Sequence, residues 1–139
     1  MPESVIGIDA SRSYVEPMTG TERYSRRIIE QLIEQAGDDR SFRLFFRDAP
    51  PADAKLGSAE TRVLPARRFW THHRLRRELS ANPVNVLFVP SHVLPLGYQG
   101  RSVVTIHDLG YLHEPSAHTA SSRIQLDLTT RWNARNASQ

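Results

Sequence analysis

Short runs of apolar, mostly β-branched residues alternate along this chain with longer segments of helical periodicity. The runs SVIGID at 4–9, SFRLFFR at 41–47, VNVLFV at 84–89 and SVVTI at 102–106 predict strands, and residues 62–64 predict a shorter one. The runs at 84–89 and 102–106 are almost continuous in apolar residues, which is typical of strands covered on both faces. Strands that alternate with helices predict a parallel, doubly wound α/β sheet.

Three segments have helical spacing. Thr19 and Glu22 have the spacing of a capping box, and apolar residues recur every three or four positions after it as far as Ala36. Two further helices are predicted over 69–81 and 120–137. We therefore predict one Rossmann-like domain over residues 1–139, with about five strands and helices on both faces of the sheet.

The composition excludes several classes of protein. Apolar residues make up 39% and charged residues 24%, which predicts a packed core and excludes a disordered chain. The absence of cysteine excludes disulfides and thiolate metal sites. No apolar run approaches the ~20 residues of a membrane-spanning helix, and the first residues do not resemble a secretory leader. We expect a cytoplasmic protein whose only membrane contact is peripheral.

Ligands of doubly wound sheets bind beyond the carboxyl ends of the strands. Three polar segments follow predicted strands at such ends: residues 9–20, 90–92 and 107–108. Because parallel strands end at the same edge of a sheet, we expect these segments to converge.

Gly20, His107 and Asp108 have the clearest chemistry in these segments. Gly20 precedes a helix whose first amides could bind a phosphate, although the same glycine could serve the turn alone. His107 could bond a sugar hydroxyl or a phosphate and Asp108 could accept from hydroxyls, or His107 could simply cap the strand end. A metal site of His107, Asp108, His113 and His118 lacks a recognised ligand spacing, so we predict no metal.

Basic and aromatic residues are concentrated between positions 67 and 77. This segment could contact nucleic acid, an anionic lipid surface or a glycan, or it could be a solvated helix face. Phe69 and Trp70 favour a membrane over nucleic acid, because aromatic rings gain by entering the headgroup region. The residues predicted to contact the membrane are Arg67, Arg68, Trp70, Arg74, Arg76 and Arg77.

Two stretches resemble the N-terminal half of a retaining glycosyltransferase of family 4, which has the two-domain GT-B architecture. The first combines IGIDASR at 6–12 with MTGTERYSRRIIEQL at 18–32. The second combines LFVPSHVLPL at 87–96 with SVVTIHDLGYLHEP at 102–115. Residues 48–81 match only in the order of strand and helix.

The resemblance implies an acceptor-binding domain that faces a second Rossmann-like domain holding most of a nucleotide-sugar donor. Transfer in such enzymes retains the anomeric configuration and needs no metal or other cofactor. Carried over by position, the donor diphosphate would approach Gly20 and Thr21, the transferred sugar His107 and Asp108, and the acceptor Asp9, Arg12 and His92.

The family continues beyond the point at which this sequence stops. We therefore expect a truncated domain without sugar transfer of its own, and self-association through an unpaired sheet edge. The expected acceptor is a glycan or a lipid-linked glycan, and no nucleic-acid partner is expected. The alternative is a small α/β binding module for a nucleotide or an anionic surface.

Overall fold

The computed structural model describes residues 3–91, 93–107, 110–113, 116 and 119–138. Its strands are β1 (Ser4–Asp9), β2 (Arg40–Phe46), β3 (Glu60–Val63), β4 (Val86–Val89) and β5 (Ser102–Val104). They form one sheet of order β3-β2-β1-β4-β5, and every pair of neighbours is parallel. The predicted Rossmann-like parallel sheet is confirmed.

The order of the strands reverses at β1. The chain builds outward from β1 to β3 and then returns to the other side of β1 for β4 and β5. Ile8 of β1 consequently lies between Leu44 of β2 and Phe88 of β4. Such a reversal opens a crevice beyond the carboxyl ends of the two central strands, which is where ligands of this fold bind.

Helices cover both faces of the sheet, as predicted. They are α1 (Gly20–Glu34), a π-helical turn (Trp70–Leu75) that leads into α2 (Arg76–Ala81), α3 (Gly110–His113) and α4 (Ala120–Asn136). On one face, Ile29 of α1 packs with Phe42, Leu44 and Phe46 of β2. On the other face, Phe45 packs with Leu75 and Leu79, and Trp132 of α4 lies against this cluster. Because side chains alternate between the two faces along β2, this strand contributes residues to two separate cores.

In the π-helical turn before β4, the position of Trp70 differs from the prediction. Trp70 was predicted to contact a membrane together with the neighbouring arginines, but it is buried with only 7% of its surface exposed. A π-helical turn closes between residues i and i+5, so it brings Trp70 onto the side of Leu75. The indole Nε1 of Trp70 also donates to the Leu64 carbonyl at 2.8 Å. Trp70 is thus a core residue and does not contact a membrane.

The outer edge of β5 is partly covered by the end of the chain. The Ser138 N–H donates to the Ser102 carbonyl at 2.9 Å, and the Ser102 N–H donates to Ser138 Oγ at 3.1 Å. The expectation of an unpaired edge is therefore wrong at Ser102. Within the described ranges, no helix is both long and apolar enough to cross a membrane.

Candidate functional site

Two cavities open at the carboxyl edge of the sheet. The larger cavity, of about 540 Å³, lies beyond β4 and β5 and is also lined by α4. The smaller cavity, of about 340 Å³, lies beyond β1 and β2. His72 of the π-helical turn lines both cavities. The crevice expected from the strand order is therefore present, and the two cavities are neighbours.

The larger cavity is lined by hydroxyl, amide and imidazole groups. They come from the first turn of α1, from the segments that follow β4 and β5, and from α4. They include Thr21, Ser91, Thr105, His107, Gln125, Thr129 and Asn133. The Ser91 hydroxyl is buried and has no hydrogen-bond partner among the described residues, so it remains available to a ligand or a water molecule.

His107 is held by two neighbours. Its Nε2 lies 2.5 Å from the Pro90 carbonyl, and its ring meets the Tyr24 ring edge to face with 4.8 Å between centroids. Because a carbonyl only accepts, Nε2 carries the hydrogen, and Nδ1 of a neutral ring is left as an acceptor. His107 therefore both caps the strand end and lines the cavity, so the two sequence-based alternatives are compatible.

The first turn of α1 already holds a negative charge. Glu22 is 4% exposed, and its Oε2 accepts from the Thr19 N–H at 3.1 Å as part of the predicted capping box. A hydrogen bond from the Thr19 hydroxyl and a second from Arg12 outweigh the effect of burial and lower the pKa of Glu22 to about 2. A diphosphate at Gly20 and Thr21 would approach this carboxylate, which disfavours that part of the donor assignment.

Gly20 has open space around it. A Cβ at this position would meet no atom within 4 Å, and the backbone there does not adopt a positive φ. The turn therefore does not require glycine, and the first amides of α1 are sterically accessible.

The smaller cavity is bordered by charged residues. Arg12 follows β1, whereas Arg47 and Asp48 follow β2 directly. Asp9 lines neither cavity; its Oδ1 accepts from the Ser11 N–H at 3.1 Å and the Ser11 hydroxyl at 2.6 Å. Asp9 thus shapes the turn that presents Arg12, which differs from the direct acceptor contact implied by the resemblance.

The predicted site residues are only partly brought together. Thr21 and His107 share the larger cavity, and Arg12 lines the smaller one. His92 and Asp108 lie outside the described residues. The arginines of the predicted membrane segment are exposed at positions 67, 68, 76 and 77 and half-buried at position 74.

Sequence reasoning missed His72, Arg47 and the polar residues of α4 as cavity residues. The strand-end rule would have selected Arg47 and Asp48 if it had been applied to the second strand as well. No comparable signal marks Gln125 or Thr129, because the pattern in α4 shows only apolar spacing.

Comparisons with protein-family models, with curated proteins and with solved structures find no match for this chain.

Proposed function

We propose that this chain is the acceptor-side domain of a retaining glycosyltransferase and that its larger cavity binds a saccharide. The observation that carries the proposal is the chemistry of the residues that the structure describes around this cavity. None of its described lining residues is an aspartate, glutamate, lysine or arginine.

A neutral, hydroxyl-rich lining suits a saccharide better than a phosphate. Serine and threonine hydroxyls and the side-chain amide of Gln125 can both donate and accept, as the hydroxyls of a sugar ring do. A diphosphate instead requires cations or several converging N–H groups. The volume of about 540 Å³ lies within the ordinary range for small-molecule sites.

His107 supplies the directional contact. Its Nδ1 accepts from a sugar hydroxyl, while the Pro90 carbonyl and the Tyr24 ring hold the imidazole in place. The resemblance places this histidine at the transferred sugar, so an acceptor saccharide in the larger cavity lies beside the reacting centre of the cleft. Donor contacts are expected mainly from a second domain, together with basic groups that neutralise the leaving diphosphate without a metal. The proposal includes a cytoplasmic location with peripheral attachment to the membrane.

Titration of the ¹⁵N-labelled chain with neutral mono- and disaccharides tests this proposal by NMR. We expect shifts at Thr21, Thr105 and His107 with at least one common hexose or its disaccharide. His107→Ala should weaken this binding at least tenfold. His113→Ala should leave the binding unchanged, because the exposed His113 of α3 does not line the cavity.

The proposal fails if no saccharide in the panel shifts these signals, or if both histidine variants bind equally well.

A further inference from the structure

We infer that the smaller cavity is an oxyanion subsite and that the saccharide bound by this domain carries a phosphate or carboxylate group. This inference rests on the proposed function for the saccharide and on the smaller cavity for the anion. It narrows the acceptor class from glycans in general to anionic saccharides.

Arg47 is the first observation. It is exposed at the end of β2 and forms no ion pair with any described residue. One of its N–H groups donates from Nη2 to the Arg67 carbonyl at 3.1 Å, which anchors the guanidinium beside the cavity. A guanidinium has five N–H groups in a fork that matches phosphate and carboxylate, so most of these donors remain available.

Arg12 is the second cation of the cavity. Its Nη2 donates to Glu22 Oε1 at 2.8 Å, and its side chain is 49% exposed. The buried carboxylate therefore fixes the position of this guanidinium without enclosing it. Two arginines that are anchored separately, one after β1 and one after β2, can approach an oxyanion from two sides.

The local charge balance also favours an anion. Asp48 lines the cavity and opposes binding, and Glu22 offsets part of the charge of Arg12. Arg67 and Arg68 are exposed, and the backbone carbonyl of Arg67 accepts from Arg47. Of the charged residues that line the cavity, two are arginines and one is an aspartate, so an incoming oxyanion meets a net positive lining.

Phe69 provides an apolar surface beside these charges. It lines the cavity, is 75% exposed and has a φ of 53° and a ψ of 36°. This left-handed conformation is sparsely populated for a bulky residue, and it turns Phe69 outward while Trp70 enters the core. An exposed ring beside arginines suits the apolar face of a sugar whose charged group is held by Arg47.

His72 connects the two cavities. Its Nδ1 accepts from the Leu96 N–H at 3.2 Å, so in the neutral ring Nε2 carries the hydrogen. Because His72 lines both cavities, a ligand that places its sugar in the larger cavity and its anion in the smaller one passes this ring. The crevice between β1 and β4 thus combines a neutral site with a cationic one.

The first experiment uses inorganic phosphate as the probe and follows the ¹⁵N-labelled chain by NMR. We expect shifts at Arg47, Asp48, Phe69 and His72. Arg47→Gln should weaken phosphate binding at least fivefold without changing thermal unfolding. Arg40→Gln is the matched control: Arg40 is also exposed, but it lies at the other end of β2 and pairs with Asp39. The subsite is refuted if phosphate causes no shifts at these residues. It is also refuted if Arg47→Gln and Arg40→Gln weaken phosphate binding equally.

The second experiment compares glucose, glucose 6-phosphate and glucuronic acid, and repeats the phosphate comparison with mannose and mannose 6-phosphate. We expect at least one anionic sugar to bind tenfold more tightly than its neutral counterpart, with this advantage lost in Arg47→Gln. Comparing glucose 6-phosphate with glucuronic acid shows whether phosphate or carboxylate is preferred. Equal binding of neutral and anionic sugars overturns the inference but leaves the proposed function intact. Phosphate binding at Arg47 without any saccharide shift at His107 supports the anion subsite but refutes both the proposed function and the assignment of an anionic saccharide.

Discussion

Arg12 and Glu22 lie ten positions apart in the chain, yet the guanidinium of one is 2.8 Å from the carboxylate of the other. This ion pair fastens the turn after β1 to the first turn of α1. Arg12 lines the smaller cavity and Thr21, next to Glu22, lines the larger one. One buried carboxylate therefore stabilises the walls of both cavities.

Replacing Glu22 with glutamine should lower the free energy of unfolding by about 2–3 kcal/mol, because it removes a charge-assisted bond to Arg12 and weakens the capping box. Urea denaturation at pH 7 measures this change. Glu34→Gln is the control, since Glu34 is exposed at the other end of α1, and we expect a change within about 0.5 kcal/mol. Equal effects at positions 22 and 34 would contradict the structural role assigned to Glu22.

The contribution of Glu22 should disappear in acid. Its pKa is about 2 in the folded chain against an ordinary value of 4.5, so the folded state binds its proton less readily than the unfolded state. The resulting stabilisation is complete above pH 4.5 and is lost as the pH falls towards 2. We expect the difference in unfolding free energy between the wild-type chain and Glu22→Gln to shrink over this interval. A difference that stays constant between pH 5 and pH 2.5 would contradict the lowered pKa.

Trp70 and Phe69 are adjacent aromatic residues with opposite environments, so they form a matched pair. Trp70→Ala should destabilise the fold by about 3–5 kcal/mol, because it empties a core position and leaves the Leu64 carbonyl without its indole donor. Phe69→Ala should change the unfolding free energy by no more than about 0.5 kcal/mol, since its ring is mostly solvated. Thermal and urea unfolding of both variants provide the comparison. Comparable losses would show that Phe69 also packs in the core.

The exposed arginines beside Phe69 should bind anionic vesicles at low salt. Each arginine near an anionic bilayer contributes about 1 kcal/mol, so Arg67→Gln with Arg68→Gln should reduce partitioning by an order of magnitude or more. Arg23→Gln with Arg27→Gln is the control, because these two arginines are exposed on α1, outside the segment. Since Trp70 is buried and Trp132 packs against the same core cluster, tryptophan emission should not shift on binding. Equal partitioning onto neutral vesicles, or equal losses in the two double variants, would refute the membrane prediction.

Several features were predictable because they depend on local spacing. The period-two pattern at Phe42, Leu44 and Phe46 determined one buried face of β2, and the spacing of Thr19 and Glu22 determined where α1 begins. Alternation of strands and helices was sufficient to predict a parallel sheet with helices on both faces. The strand-end rule then placed residues 9–20 and 107–108 at the same edge, where the structure shows Arg12 and His107 lining neighbouring cavities.

Other features required the folded chain, because they depend on contacts between distant residues. Trp70 is buried because a π-helical turn brings it over Leu75 and because Leu64 accepts its indole hydrogen, neither of which follows from a 3.6-residue period. Two other contacts also join segments that no local sequence pattern relates. Arg12 pairs with Glu22, and Ser138 bonds Ser102 at the outer edge of β5. The sequence by itself thus determined the elements and the edge at which they present polar groups. The tertiary structure alone decided that, among the described residues, hydroxyl, amide and imidazole groups line one cavity and two arginines line its neighbour, because the lining of each cavity comes from separate strands and helices.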